Sequence, residues 1–109
     1  MNLDWKNIGF GYNKTDYNLR SYFKDEKWGE LEISTSEQIN IHMAATCLHY
    51  GQEAFEGLKA YMGKDGKIRI FRWQENAKRM QTSAIGIKLA EVPEKLFHDA
   101  IVKAVQLNK

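Results

Sequence analysis

Cysteine, long apolar runs and an excess of one charge sign are all scarce in this sequence, and each scarcity excludes a class of protein. The only cysteine among the 109 residues, Cys47, has no partner for an internal disulfide. The chain is therefore expected in a reducing, cytoplasmic compartment, with Cys47 as a small buried side chain. No apolar run approaches the roughly 18 residues of a membrane span, so no membrane partner is expected. The 16 Lys and Arg residues nearly balance the 14 Asp and Glu residues, which argues against a nucleic-acid partner.

The residues that are present supply enough apolar material for one core. Hydrophobic residues make up 43% of the chain and aromatic residues 12%. A chain of this length removes roughly 65% of its unfolded surface from water, which is enough for one core but not for two. The composition therefore predicts one domain that spans residues 1–109.

Alternating apolar and polar residues predict strands in the first two thirds of the chain. Two hairpins are expected, one with its turn at residues 24–27 and one with its turn at Gly63-Lys64-Asp65-Gly66. The predicted strands are residues 17–23 with 30–33, and residues 54–62 with 67–72. Between the hairpins, residues 39–43 alternate like a short half-buried strand, and the small residues of 44–51 suit a tight helical turn or a packed loop.

The predicted strand 54–62 contains an unusual glycine. Alternation places Phe55 and Gly57 on one face and Glu56 on the other. A glycine inside a strand costs about 0.5–1 kcal/mol relative to alanine. Close approach by a ligand or by another backbone would explain why Gly57 is there.

The last third of the chain has a helical period. One apolar stripe ends near Gly86 and contains Trp73, Ala77, Met80 and Ala84. A second helix begins near Pro93, and its apolar face continues to the last residues, as expected of a chain cut inside a larger protein. The predicted fold class is α+β: an antiparallel sheet with two helices at its carboxyl-terminal end.

Generic catalytic motifs are missing. The spacing of His42, His49 and His98 does not indicate a metal site, and no metal is expected. The glycines of Gly9-Phe10-Gly11 lack the strand-to-helix context of a dinucleotide fingerprint, and no serine stands in a nucleophile elbow. These motifs alone predict a globular domain without a visible reaction.

A longer pattern carries more information. The run 48–61, which contains His-Tyr-Gly and Phe-Glu-Gly-Leu-Lys, closely resembles the signature of the fold-type IV, pyridoxal-phosphate-dependent branched-chain aminotransferases. The resemblance extends over residues 66–72 and over residues 75–84, which contain Asn-x-x-Arg-Met. Residues 10–28 look like the amino-terminal extension of the longer branch of that family. The resemblance implies that residues 1–109 form the small amino-terminal domain of an aminotransferase.

The resemblance also implies roles for four residues. Arg79 would bind the phosphate of pyridoxal 5'-phosphate, for which a planar guanidinium is well suited. Phe55 would line the pocket for the substrate side chain, and Gly57 would leave room for substrate and cofactor. Tyr50 would reach across a homodimer to close the neighbouring pocket. Without the resemblance, Arg79 is a solvated helix arginine, Phe55 a core residue, and Tyr50 an interface or core aromatic.

No catalytic residue is expected within the chain itself. In the family that it resembles, the Schiff-base lysine belongs to a second domain, and no lysine here stands in that motif. The parent enzyme would move the amino group of Leu, Ile or Val to 2-oxoglutarate, while residues 1–109 alone would be inactive. Two alternatives stay open: a sibling fold-type IV enzyme, such as a D-amino-acid aminotransferase or an aminodeoxychorismate lyase, and a non-catalytic dimerisation or binding domain.

Overall fold

The computed structural model describes Asp4, residues 6–7 and residues 9–109. Within this part of the chain, three two-stranded antiparallel sheets and three helices confirm the α+β class, although the predicted single sheet is divided into separate hairpins. In chain order the elements are β1 (Asn18–Arg20), β2 (Phe23–Lys24), β3 (Lys27–Trp28), β4 (Glu32–Ser34), α1 (Thr46–His49), β5 (Ala60–Met62), β6 (Ile68–Ile70), α2 (Trp73–Gly86) and α3 (Glu94–Asn108).

The chain folds as two compact units. One consists of the described residues up to Ile39 together with Val102–Lys109, and the other is Asn40–Ile101. All four residues with predicted roles lie in the second unit. The prediction of one domain over residues 1–109 stays a prediction.

The first unit contains the first predicted hairpin. β1 pairs with β4, antiparallel, which confirms the expected partners. β2 also pairs with β3, so Lys24 and Lys27, which were predicted in the turn, lie in strands instead. The turn lies at Asp25 and Glu26, inside the predicted segment, and both residues have positive φ, 51° and 63°. Two consecutive positive φ angles are the geometry of a two-residue turn that matches the right-handed twist of its strands.

The second unit departs from the predictions at its beginning. The alternating residues 39–43 form no strand, and Ile39, Ile41 and Met43 are exposed. The predicted half-buried strand is therefore wrong, because an apolar alternation needs a neighbouring strand to pair with, and none of the described residues supplies one. The helical turn expected within residues 44–51 is confirmed as α1, in which Cys47 is half-buried rather than buried.

The turn of the second hairpin and both long helices form where they were expected. β5 pairs with β6 across Gly63-Lys64-Asp65-Gly66, and Gly66 has the positive φ, 80°, that this turn requires. Helix α2 buries Ala77 and Ala84 of the predicted stripe, and α3 buries Phe97. None of the helices in the described ranges has the length and apolar character needed to cross a membrane.

Candidate functional site

The segment 52–59 is extended but is not part of a sheet. Its exposure alternates: Gln52, Ala54, Glu56 and Leu58 are half-buried, whereas the residues between them are exposed. The two faces therefore agree with the prediction. The paired strand is wrong over residues 54–59, because no other described residue hydrogen-bonds to the backbone of Ala54, Phe55 or Leu58, and pairing begins at Ala60.

Phe55 and Gly57 lie together on the exposed face of this segment. The Phe55 side chain is not in the core, since the residue is 91% exposed. Its ring atom Cε1 would lie 3.6 Å from a Cβ atom added at Gly57, an ordinary van der Waals distance. Nothing described in the chain therefore requires a glycine at this position, and the room left by Gly57 faces outward.

Tyr50 is also exposed. It caps the carboxyl end of α1, and its backbone N–H donates to the Thr46 carbonyl oxygen at 2.8 Å. With 83% of the residue exposed, the core alternative for Tyr50 is excluded. Among the described residues, no hydrogen bond or ring contact joins Tyr50 or Phe55 to Arg79.

Arg79 lies on α2 and is paired with Glu56. Its Nε atom donates to Oε1 at 3.0 Å and to Oε2 at 2.9 Å, and Nη2 also donates to Oε1. The Arg79 side chain is 67% exposed, but the Glu56 side chain is only 6% exposed. Arg79 is therefore a largely solvated helix arginine, as the alternative expects, but one edge of its guanidinium is bound to a nearly buried carboxylate.

Asn76 strengthens the same contact from one turn earlier on α2. Its Nδ2 atom donates to Glu56 Oε1 at 2.7 Å and to the Gly57 carbonyl oxygen at 3.0 Å. Residues three apart on a helix lie on one face. Asn76 and Arg79 therefore contact residues 56–57 jointly, from the same face of α2. The contact also satisfies a backbone carbonyl that has no strand partner.

The Glu56–Arg79 pair stays charged at neutral pH. The hydrogen bond from Arg79 lowers the pKa of the Glu56 carboxyl below its usual range, and Asn76 contributes in the same direction against the opposing effect of burial. The hydrogen bond to Glu56 raises the pKa of the Arg79 guanidinium. The two opposite charges cancel, so the pair has no net charge, unlike an isolated arginine.

The Glu56–Arg79 pair leaves one guanidinium nitrogen without a partner among the described residues. Arg79 uses Nε and Nη2 for Glu56, while its Nη1 atom has no hydrogen-bond partner among the described residues. The Nη1 edge can donate to a phosphate, so the arrangement fits the phosphate group of a cofactor at that edge. The described residues contain no group of three or more His, Cys, Asp or Glu side chains that could hold a metal ion.

Glu56 and Asn76 are the functional candidates that sequence reasoning missed. A signal for Glu56 was available, because it stands on the inward face of the alternating segment and glutamate is almost never buried without a partner. Asn76 precedes Arg79 by three residues, the spacing of neighbours on a helix. The sequence offered no means of selecting Arg79 as the partner of a carboxylate 23 residues earlier.

Known proteins resemble this chain over almost all of its length. No family model matches, so the assignment comes from individual relatives. A branched-chain-amino-acid aminotransferase of Haemophilus influenzae is 49% identical over 98% of the chain, and one of Helicobacter pylori is 42% identical over 99%. A cytosolic branched-chain-amino-acid aminotransferase of Rattus norvegicus is 37% identical over 97%. The chain spans 31%, 32% and 26% of these three relatives, respectively. The chain therefore belongs to the branched-chain-amino-acid aminotransferase family, and it spans between a quarter and a third of these three relatives.

Proposed function

We propose that the protein containing this chain is a pyridoxal-phosphate-dependent aminotransferase that moves the amino group of Leu, Ile or Val to 2-oxoglutarate. The observation that carries the proposal is the 49% identity to a branched-chain-amino-acid aminotransferase over 98% of this chain. Pyridoxal 5'-phosphate supplies the electron sink for this class of reaction. Because the chain spans only about a third of its relatives, residues 1–109 contribute binding groups and not the whole reaction.

Arg79 is the residue of this chain that would hold the cofactor phosphate. The 67% exposure of its side chain supports this role, because Nη1 and the second N–H of Nη2 can offer a phosphate parallel charge-assisted hydrogen bonds. The paired Glu56 occupies the Nε edge and leaves the opposite end of the guanidinium for the anion.

Phe55, Gly57 and Tyr50 would form walls of the substrate pocket. Phe55 and Gly57 share an exposed face, so their surface is available to a substrate and to the rest of the protein. An apolar wall favours Leu, Ile and Val because each buried methylene contributes about 0.8 kcal/mol. Tyr50 would close the pocket of a partner subunit in a homodimer, for which its 83% exposure leaves it free.

The proposal includes a location and a domain assignment. Residues 1–109 would be the small amino-terminal domain, the Schiff-base lysine would belong to a second domain, and the enzyme would act in the cytoplasm. The single half-buried Cys47 agrees with a reducing compartment.

A substrate profile of the full-length protein tests the proposal. We expect bound pyridoxal phosphate, visible in the absorbance spectrum, and transfer to 2-oxoglutarate from L-leucine, L-isoleucine and L-valine but not from D-alanine. Residues 1–109 produced alone are the matched control and should show no turnover. A clear preference for D-alanine would assign the protein to a sibling enzyme, and absence of both cofactor and turnover would favour a non-catalytic domain.

A further inference from the structure

The carboxylate of Glu56 is a largely covered charge, on a half-buried residue, that the proposed chemistry does not use. Its side chain is 6% exposed, although both neighbours in sequence, Phe55 and Gly57, are exposed. Three donor atoms converge on it, namely Arg79 Nε, Arg79 Nη2 and Asn76 Nδ2. Such a carboxylate is normally kept in a fold because it holds something in place.

The Arg79 side chain needs an external anchor. It is 67% exposed and would sample many rotamers if no group held it. Glu56 contacts the Nε edge, which fixes the plane of the guanidinium and leaves Nη1 without a hydrogen-bond partner among the described residues. Asn76 supports the carboxylate and also holds the Gly57 carbonyl, so the extended segment cannot shift along α2 without breaking both contacts.

We propose that Glu56 is a positioning residue that orients Arg79 for the cofactor phosphate, with Asn76 as its support. This inference rests on the proposed function. The negative charge of Glu56 by itself repels a phosphate, so its net effect is favourable only if orientation outweighs repulsion. Orientation raises the affinity for a phosphate and repulsion lowers it, so a binding measurement distinguishes the two effects.

The test compares a ligand that carries the phosphate with one that lacks it. Full-length wild type, Glu56→Gln, Arg79→Ala and the double variant are titrated with pyridoxal 5'-phosphate and with pyridoxal, and binding is followed by absorbance. We expect Glu56→Gln to weaken pyridoxal phosphate binding about tenfold, the lower range for loss of a supporting partner at metal sites. Pyridoxal binding should not change, and Glu56→Gln should add nothing in the Arg79→Ala background.

The matched control is Asp65→Asn. Asp65 holds Arg69 through two hydrogen bonds of 3.0 and 2.6 Å, so it is also a carboxylate that orients an arginine. It belongs to the β5–β6 hairpin and has no predicted role, and its replacement should leave the affinity for both ligands unchanged.

Several outcomes would overturn the inference. Unchanged or tighter pyridoxal phosphate binding by Glu56→Gln would mean that repulsion dominates, and equal loss for both ligands would mean a merely structural role. If Glu56→Gln does not fold, Glu56→Asp is titrated in its place, because it keeps the charge but shortens its reach. A Glu56→Asp variant that prefers pyridoxal phosphate over pyridoxal as strongly as wild type does would count against the inference. Unchanged preference in Arg79→Ala would instead refute the phosphate role of Arg79 in the proposed function.

Discussion

In two neighbouring residues of this chain, the apolar side chain is exposed and the charged side chain is covered, the reverse of what their chemistry favours. Phe55 is 91% exposed, while the side chain of Glu56 beside it is 6% exposed. Exposing an aromatic ring and burying a carboxylate both cost free energy, and the second cost is offset here by Arg79 and Asn76. No described residue covers Phe55, which is what a wall for a ligand or for another part of the protein requires.

Replacement of Phe55 tests its place in a substrate pocket. Because the ring makes few contacts within the chain, Phe55→Ala should change the unfolding free energy by no more than about 0.5 kcal/mol. In the full-length enzyme it should raise the KM for leucine by about tenfold and the KM for glutamate much less, because only the apolar side chain gains from an apolar wall.

Phe71→Ala is the control for this measurement. Phe71 is also exposed and belongs to the same unit, but it has no predicted role. Its KM values should equal those of wild type in steady-state kinetics. Equal increases for leucine and glutamate in Phe55→Ala would show that Phe55 does not select the apolar side chain of the substrate.

Strand formation in this chain is limited by the availability of a neighbouring strand rather than by the alternation of apolar and polar residues. Period-two alternation correctly assigned the two faces of residues 54–59, yet hydrogen-bonded pairing extends only over β5 and β6. Residues 39–43 alternate just as well and remain exposed. A strand requires a neighbouring backbone, and a local pattern does not state whether one is available.

The β5–β6 turn provides a prediction about backbone conformation. Gly66 has φ of 80°, a left-handed conformation that costs an L-residue about 1–2 kcal/mol. Gly66→Ala should therefore lower the unfolding free energy by about that amount, measured by urea unfolding.

Gly86→Ala is the matched control for Gly66→Ala. Gly86 is the last residue of α2, and a Cβ atom there meets nothing within 4 Å. Alanine should stabilise the helix by less than the roughly 0.5–1 kcal/mol that it gains in a helix interior, because Gly86 is the last residue. Shifts of the same sign in both variants would contradict the role assigned to the turn.

At the scale of the whole molecule, much apolar surface is left uncovered. Large hydrophobic side chains are exposed in both units of the described chain, among them Phe10, Met43 and Phe71. The buried hydrophobic residues within the described ranges are only Ala77, Ala84 and Phe97. Relatives are about three times as long, and we infer that the additional chain in such proteins covers part of this surface.

Residues 1–109 produced alone should therefore behave differently from the full-length protein. Contiguous exposed apolar patches above a few hundred Å² promote association, so the short chain should bind a hydrophobic fluorescent dye and self-associate. Dye fluorescence and light scattering measure both effects, with the full-length protein as the control. A monodisperse short chain without dye binding would contradict this expectation and favour a self-sufficient binding domain.

The sequence by itself determined the α+β class, both hairpin turns, the two long helices and, through its motifs, the family. These features depend on short-range periodicity, on turn residues and on residue order, all of which can be read locally. Only the tertiary structure decided that residues 54–59 have no strand partner in the part of the chain it describes, that Phe55 and Tyr50 are exposed, and that Arg79 is held by Glu56, which Asn76 supports. Those features depend on which distant groups meet, and a one-dimensional pattern does not contain that information.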